Sequence, residues 1–122
     1  MADTLYEMIG GRLTINAAVD LFYQKVLADE SLRSFFEEVD MDHIRSRQSM
    51  FVSMLVGGQV IYTGTDVHAA HEQPRKLGMN ESHFDAFLKY FRESLEEVGV
   101  MPERLDKIIK LLEASRDDVL KP

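Results

Sequence analysis

An all-α fold is expected from three features of the chain. Apolar residues recur at steps of three and four along nearly its whole length, and strand-like alternation over four or more residues is hard to find. Glycine pairs and prolines punctuate the periodic stretches. With 122 residues the chain suffices for one hydrophobic core and is short for two, so a single domain over 1–122 is expected.

The elements follow in order. A short opening segment, Thr4 to Ile9, stops at Gly10-Gly11, a pair that permits backbone angles a helix interior avoids. A second helix carries Ile15, Val19, Phe22, Tyr23, Val26 and Leu27 on one side and ends near Asp29-Glu30. Leu32 to Val39 holds the adjacent aromatics Phe35 and Phe36, and Asp40 suits the N-cap of a helix from Met41 to about Val56, stopped by Gly57-Gly58. Tyr62-Thr63-Gly64 has loop character, and a short segment from Asp66 to about Gln73 is expected to be cut off by Pro74. Asn80 or Ser82 caps a long helix bearing Phe84, Phe87, Leu88, Phe91, Leu95 and Val98, which Gly99 ends. Pro102 fits the first turn of a last helix, with Leu105, Ile108, Ile109, Leu112 and Val119 inward.

Composition narrows the partners. Apolar residues make up 45% and charged residues 29%, as in ordinary globular domains. A net charge of −7 repels phosphate backbones and anionic lipid, so neither nucleic acid nor membrane is expected as a partner. No apolar run reaches the ~18 residues of a membrane span, and the first residues lack a secretory pattern. The absence of cysteine removes disulfides, thiolate metal sites and thioether haem attachment, and fits a reducing cytoplasm. The acidic surface favours a monomer.

The informative residues are polar ones that interrupt an apolar face. The stripe Ile44, position 48, Phe51, Leu55 carries Gln48, whose carboxamide must find partners or cost on the order of 1–3 kcal/mol. Tyr23 likewise brings a phenol among Val19, Val26 and Leu27. Each has an ordinary reading, a backbone bond for Gln48 and a solvent-facing hydroxyl for Tyr23. Together with a histidine across an apolar cavity, they instead make two neutral donors opposite a metal ligand, which suits a polar diatomic molecule.

His71, after Ala69-Ala70, is the candidate ligand, with a surface or satisfied core histidine as the alternative. His68 and His71 at i, i+3 also raise a small metal site with Asp66 or Glu72, although no His-Glu-x-x-His motif supports it. His43 and His83 read as surface residues. Arg47, beside Gln48, is either a solvated arginine or a clamp for a carboxylate or phosphate at the rim. Phe35, Phe36, Phe51, Phe84, Phe87 and Phe91 offer enough flat surface to enclose a planar ligand. No phosphate loop or serine nucleophile is present, and the paired acids are solvated helix faces.

In order and spacing, several segments resemble the group I truncated haemoglobins. They are Leu5-Tyr6-Glu7-Met8-Ile9-Gly10-Gly11, Phe22-Tyr23 with Val26-Leu27-Ala28-Asp29, Phe35-Phe36 with Val39-Asp40-Met41, Gly57-Gly58, Tyr62-Thr63-Gly64, Ala69-Ala70-His71 and His83-Phe84-Asp85-Ala86. The resemblance implies a truncated globin-like two-over-two helical sandwich around haem b, with His71 as the proximal iron ligand. It also implies that Tyr23 hydrogen-bonds the dioxygen ligand, that Gln48 assists, and that Phe36 packs on the haem face. Ile44 then stands at the distal mouth and Arg47 reaches a propionate. Phe51, Leu55, Tyr62, Met79 and Phe84 complete the implied haem contacts.

Departures refine this. Pro74 after His71 is atypical and shortens the proximal helix. Ser115 stands where some members have a histidine that attaches haem covalently, so non-covalent haem is expected. Val52 stands where certain members have a tunnel-gating phenylalanine.

The expected function is reversible binding of dioxygen, and of nitric oxide and carbon monoxide, at pentacoordinate iron. Oxidation of nitric oxide to nitrate is a further enzymatic reading that requires an external electron donor. A gas sensor acting through a partner protein and a haem-free helical adapter are the alternatives. Ligand-dependent protein contacts would distinguish the first of these, and failure to bind haem the second.

Overall fold

A computed structural model describes residues 4–57 and 64–122, the side chains of 64–66 excepted. Among the described residues the structure is helical and has no strand. Helix α1 (Leu5–Met8) is capped by the Thr4 side chain, which accepts from the Glu7 N–H at 3.1 Å. Gly10 then takes φ 106°, a left-handed angle at which a Cβ would run into the Thr14 hydroxyl, so only glycine fits the turn into α2 (Gly11–Ala28).

Asp29 ends α2 and starts α3 (Glu30–Arg33), its carboxylate accepting from the Ser31 N–H at 2.9 Å. One 3-10 turn, Ser34–Phe36, follows. Asp40 caps α4 (Met41–Leu55) as the sequence predicts, accepting from the N–H groups of Asp42 and His43. Gly57 closes it at φ 103°, where a Cβ would press on Thr4.

The next segment departs from expectation. Helix α5 (Gly64–Ala70) ends before Pro74, and the break falls at His71, with α6 (Glu72–Lys76) beyond it. Pro74 does not cut the segment off. It occupies the first turn of α6, where a missing N–H leaves no intrahelical bond unmade.

Asn80 caps α7 (Glu81–Glu97) through a capping box with His83. The Asn80 N–H donates to His83 Nδ1 at 3.1 Å and the His83 N–H to Asn80 Oδ1 at 3.3 Å. His83 is therefore a half-buried capping residue, packed edge-on against Phe35, rather than a surface histidine.

Pro102 opens α8 (Pro102–Glu113) as expected. The predicted single last helix is in fact two. Ala114 and Ser115 separate α8 from α9 (Arg116–Leu120), and the Ser115 hydroxyl bonds back to the Leu112 carbonyl at 2.6 Å. Val119 thus belongs to α9.

Packing follows from the stripes. Helix α2 lies against α4 and α7, and α7 against α8, giving two helices over two. Their shared core holds Ile15, Val19, Val26, Leu95, Leu105 and Ile108, all nearly or wholly excluded from solvent. A second, smaller cluster gathers Val67, Phe84 and Val119, from α5, α7 and α9. No helix among the described residues is long and apolar enough to cross a membrane.

Candidate functional site

A cavity of about 230 Å³ is lined from both clusters. One water requires only about 10–15 Å³ of such space, so the cavity is sized for a ligand. Its walls bring together Tyr23 of α2, Phe36 of the 3-10 turn, Ile44, Arg47, Gln48 and Phe51 of α4, His71 of the α5–α6 joint, Met79, and Phe84 of α7.

Leu55 is not part of it, since it lies a turn beyond Phe51 and packs against the main core. Tyr62 falls outside the described residues, and so do Gly58 and Thr63. Sequence reasoning passed over Phe22, His43, Val67, Pro74, Leu88, Leu112, Ser115 and Val119 as cavity residues. For His43 the signal was available, because it precedes Arg47 by four residues and shares its helix face. Phe87 and Phe91 line the cavity as well, while Phe35 is turned to His83.

His71 has the chemistry of a metal ligand. Its Nδ1 lies 2.8 Å from the Val67 carbonyl, and a carbonyl only accepts, so the proton sits on Nδ1 and Nε2 keeps its lone pair. Burial pushes the imidazolium pKa below its ordinary value. The Val67 bond opposes this shift, and Arg75 and Arg47 add to it. The ring is therefore neutral at pH 7, the form that binds metal.

Tyr23 and Gln48 bring the polar groups. Tyr23 is 4% exposed and lines the cavity, and its hydroxyl makes no hydrogen bond among the described residues. Burial holds its pKa far above the ordinary phenol value, with Arg45 pulling weakly the other way, so it stays a neutral donor. Its ring is fixed by edge contacts to Phe22 and Phe36, at 4.8 and 5.7 Å between centroids. Gln48, half-buried, also has no bonding partner among the described residues. The Tyr23 phenol is thus buried rather than turned to solvent, and among the described residues Gln48 makes no bond to backbone.

The rim is cationic. Arg47 is exposed and without an ion pair among the described residues, whereas Arg45 pairs with Asp42 at 2.9 Å and Arg92 with Asp106 at 2.8 Å. The alternative metal site finds no support among the described residues, which do not include the Asp66 side chain. His68 Nε2 donates to the Lys121 carbonyl at 2.9 Å, and no three His, Asp or Glu side chains converge among the described residues.

These groups fit a haem. They would supply one neutral imidazole with a lone pair for iron, aromatic walls for a flat macrocycle, and, with no partner among the described residues, two neutral donors for a polar diatomic gas and a guanidinium for a propionate. The Ser115 hydroxyl, also on the cavity wall, donates to the Leu112 carbonyl at 2.6 Å.

Comparison with known proteins agrees with that chemistry. The profile of the bacterial-like globin family matches residues 4–121. The group 1 truncated haemoglobin of Tetrahymena pyriformis is 39% identical over 96% of this chain and 94% of its own length. That of Synechocystis is 40% identical over 84% of this chain and 82% of its own. The ferric crystal structure of the Tetrahymena pyriformis protein superposes with a TM-score of 0.86 at 39% identity, covering 97% of this chain and 98% of that one. The 2/2 haemoglobin of Synechococcus, solved in the cyanomet state with covalently attached haem, gives 0.91 at 32% identity, covering 98% and 100%.

Proposed function

The chain belongs to the bacterial-like globins as a group 1 truncated haemoglobin, and on that premise we propose that it binds dioxygen reversibly on non-covalent haem b held by His71. Membership of the family implies haem-based gas binding. When bound, haem supplies an iron with one coordination position open to a diatomic gas.

The chain's own residues do the rest. His71 would hold the iron through Nε2, and the Nδ1–H bond to Val67 raises its basicity and fixes the ring plane. Phe36, Phe51, Phe84 and Phe87 would supply apolar aromatic walls for the macrocycle, and Arg47 a cation for a propionate. Ile44 and His43 stand at the mouth.

Tyr23 donates a hydrogen bond into the distal space and Gln48 assists from α4. Two neutral donors favour dioxygen, which gains electron density on binding, over carbon monoxide, which gains little. Nitric oxide fits the same space, and its conversion to nitrate would draw electrons from an external donor protein. A monomer in the cytoplasm completes the reading, in keeping with the net charge of −7.

The observation that carries this is that His71, its Nδ1 bonded to the Val67 carbonyl, and the buried Tyr23, whose hydroxyl has no partner among the described residues, line one cavity. The test is to reduce the haem-loaded protein, admit dioxygen, and purge it. A visible spectrum that converts and returns over several cycles supports the proposal. Prompt oxidation to the ferric form in every cycle, or no conversion, rejects it.

A further inference from the structure

His71 stands at a joint rather than inside a helix. Helix α5 ends at Ala70, α6 starts at Glu72, and His71 between them has φ −105° and ψ 12°. Its N–H donates to the His68 carbonyl at 3.2 Å, and its carbonyl accepts from the Arg75 N–H at 3.0 Å. Helices of seven and five residues have little stability of their own, so the joint depends on what they dock against.

Both flanking segments dock on α9. His68, three residues before the joint, donates from Nε2 to the Lys121 carbonyl at 2.9 Å. Arg75, four residues after it, donates from its guanidinium to the Val119 carbonyl at 3.1 Å. Val119 lies in the last turn of α9, where carbonyls lack helical donors, and Pro122, three residues on, has no N–H to give.

Side chains reinforce the dock, since Val119 packs with Val67 and Phe84 and lines the cavity. Helix α9 is itself fixed to α7. Arg116, at its start, pairs with Glu81 and with Asp85, the latter at 2.6 Å, and lies 4.6 Å over the Phe84 ring.

We infer that α9 is a strut for the proximal histidine, with His68 and Arg75 as positioning residues whose bonds to the Lys121 and Val119 carbonyls set how the His71 imidazole meets iron. The inference rests on the proposal that His71 is the axial ligand. The two bonds straddle the joint at opposite ends, so the loss of either loosens one flank of the imidazole, and the loss of both leaves the apolar packing of Val67 with Val119 as the remaining side-chain dock.

The iron–histidine stretching band in the resonance Raman spectrum of the ferrous, gas-free protein reads this geometry directly. The set comprises wild type, His68→Ala, Arg75→Ala, the double variant, and the donor-keeping His68→Gln and Arg75→Lys. Haem stoichiometry and far-UV circular dichroism report folding.

The expected result is a band that shifts or broadens in each alanine variant and more in the double one. It returns towards wild type in the Gln and Lys variants, and haem loss to an acceptor apoprotein is about tenfold faster in the double variant. An unmoved band in folded, fully loaded alanine variants overturns the strut. If the double variant does not fold, the single and donor-keeping variants decide by the same criterion. A wild-type protein that binds haem but shows no iron–histidine band, or a band that survives His71→Ala, refutes the ligand assignment and the strut with it.

Discussion

Replacing Tyr23 by Phe separates the hydroxyl from everything else the residue does. The ring is 4% exposed and held by Phe22 and Phe36 at 4.8 and 5.7 Å, contacts that phenylalanine keeps. The hydroxyl has no partner among the described residues, so its removal strands no polar group among them. Apoprotein stability should therefore stay within about 0.5 kcal/mol of wild type.

Gas binding should respond quite differently. A neutral hydrogen bond contributes about 1.4 kcal/mol at the upper part of its usual range, which corresponds to roughly tenfold faster dioxygen release. Carbon monoxide release should scarcely change. Stopped-flow displacement of dioxygen gives the rates, and urea unfolding gives the stability. An unchanged dioxygen off-rate removes Tyr23 from the distal role. A stability loss above about 1 kcal/mol would show that the hydroxyl has a structural partner.

His71 also predicts a pH dependence. With its folded pKa held below the ordinary 6.5, the unfolded chain takes up the proton first as pH falls. Apoprotein stability should be level, as far as this group is concerned, above about pH 7 and should decline from about 6.5 downward. His71→Gln should flatten that decline in urea midpoints between pH 5 and 8, and an equal decline in the variant would exonerate His71. Leu95→Ala, at a side chain with 0% exposure, should lose about 2–5 kcal/mol by chemical denaturation, and a loss below about 1 kcal/mol would mean that the core there is not close-packed. Gly10→Ala forces a Cβ onto a residue at φ 106° and should cost at least about 1–2 kcal/mol, seen as a lower Tm; an unchanged Tm would contradict the turn geometry.

Much of the fold was legible because local rules and tertiary packing agree in it. Asp40 caps α4, Asn80 caps α7, Pro102 opens α8, and the glycines at 10 and 57 turn the chain. The polar lining of the cavity was legible for a related reason. Gln48 and Tyr23 violate their own apolar stripes, and a violation shows in sequence spacing alone.

What was hidden depends on contacts between distant residues. The joint at His71 has no glycine or proline to announce it, and arises where His68 and Arg75 reach across to α9. The break at Ser115 places Arg116 against Glu81 and Asp85, more than thirty residues away in the chain. His83 looked like a surface residue because glutamate or glutamine usually closes a capping box, and here an imidazole does so.

The central claim is that this cavity holds haem through His71. Titrating the purified apoprotein with haemin, beside His71→Ala, and recording ferric, reduced and oxygenated absorption spectra tests it most directly. The account predicts a Soret band that saturates at one haem per chain and shifts reversibly with dioxygen. In the variant, haem binding is weaker and exogenous imidazole restores the ferrous spectrum. Wild type that takes up no haem, or a variant whose spectra and affinity match wild type, contradicts it.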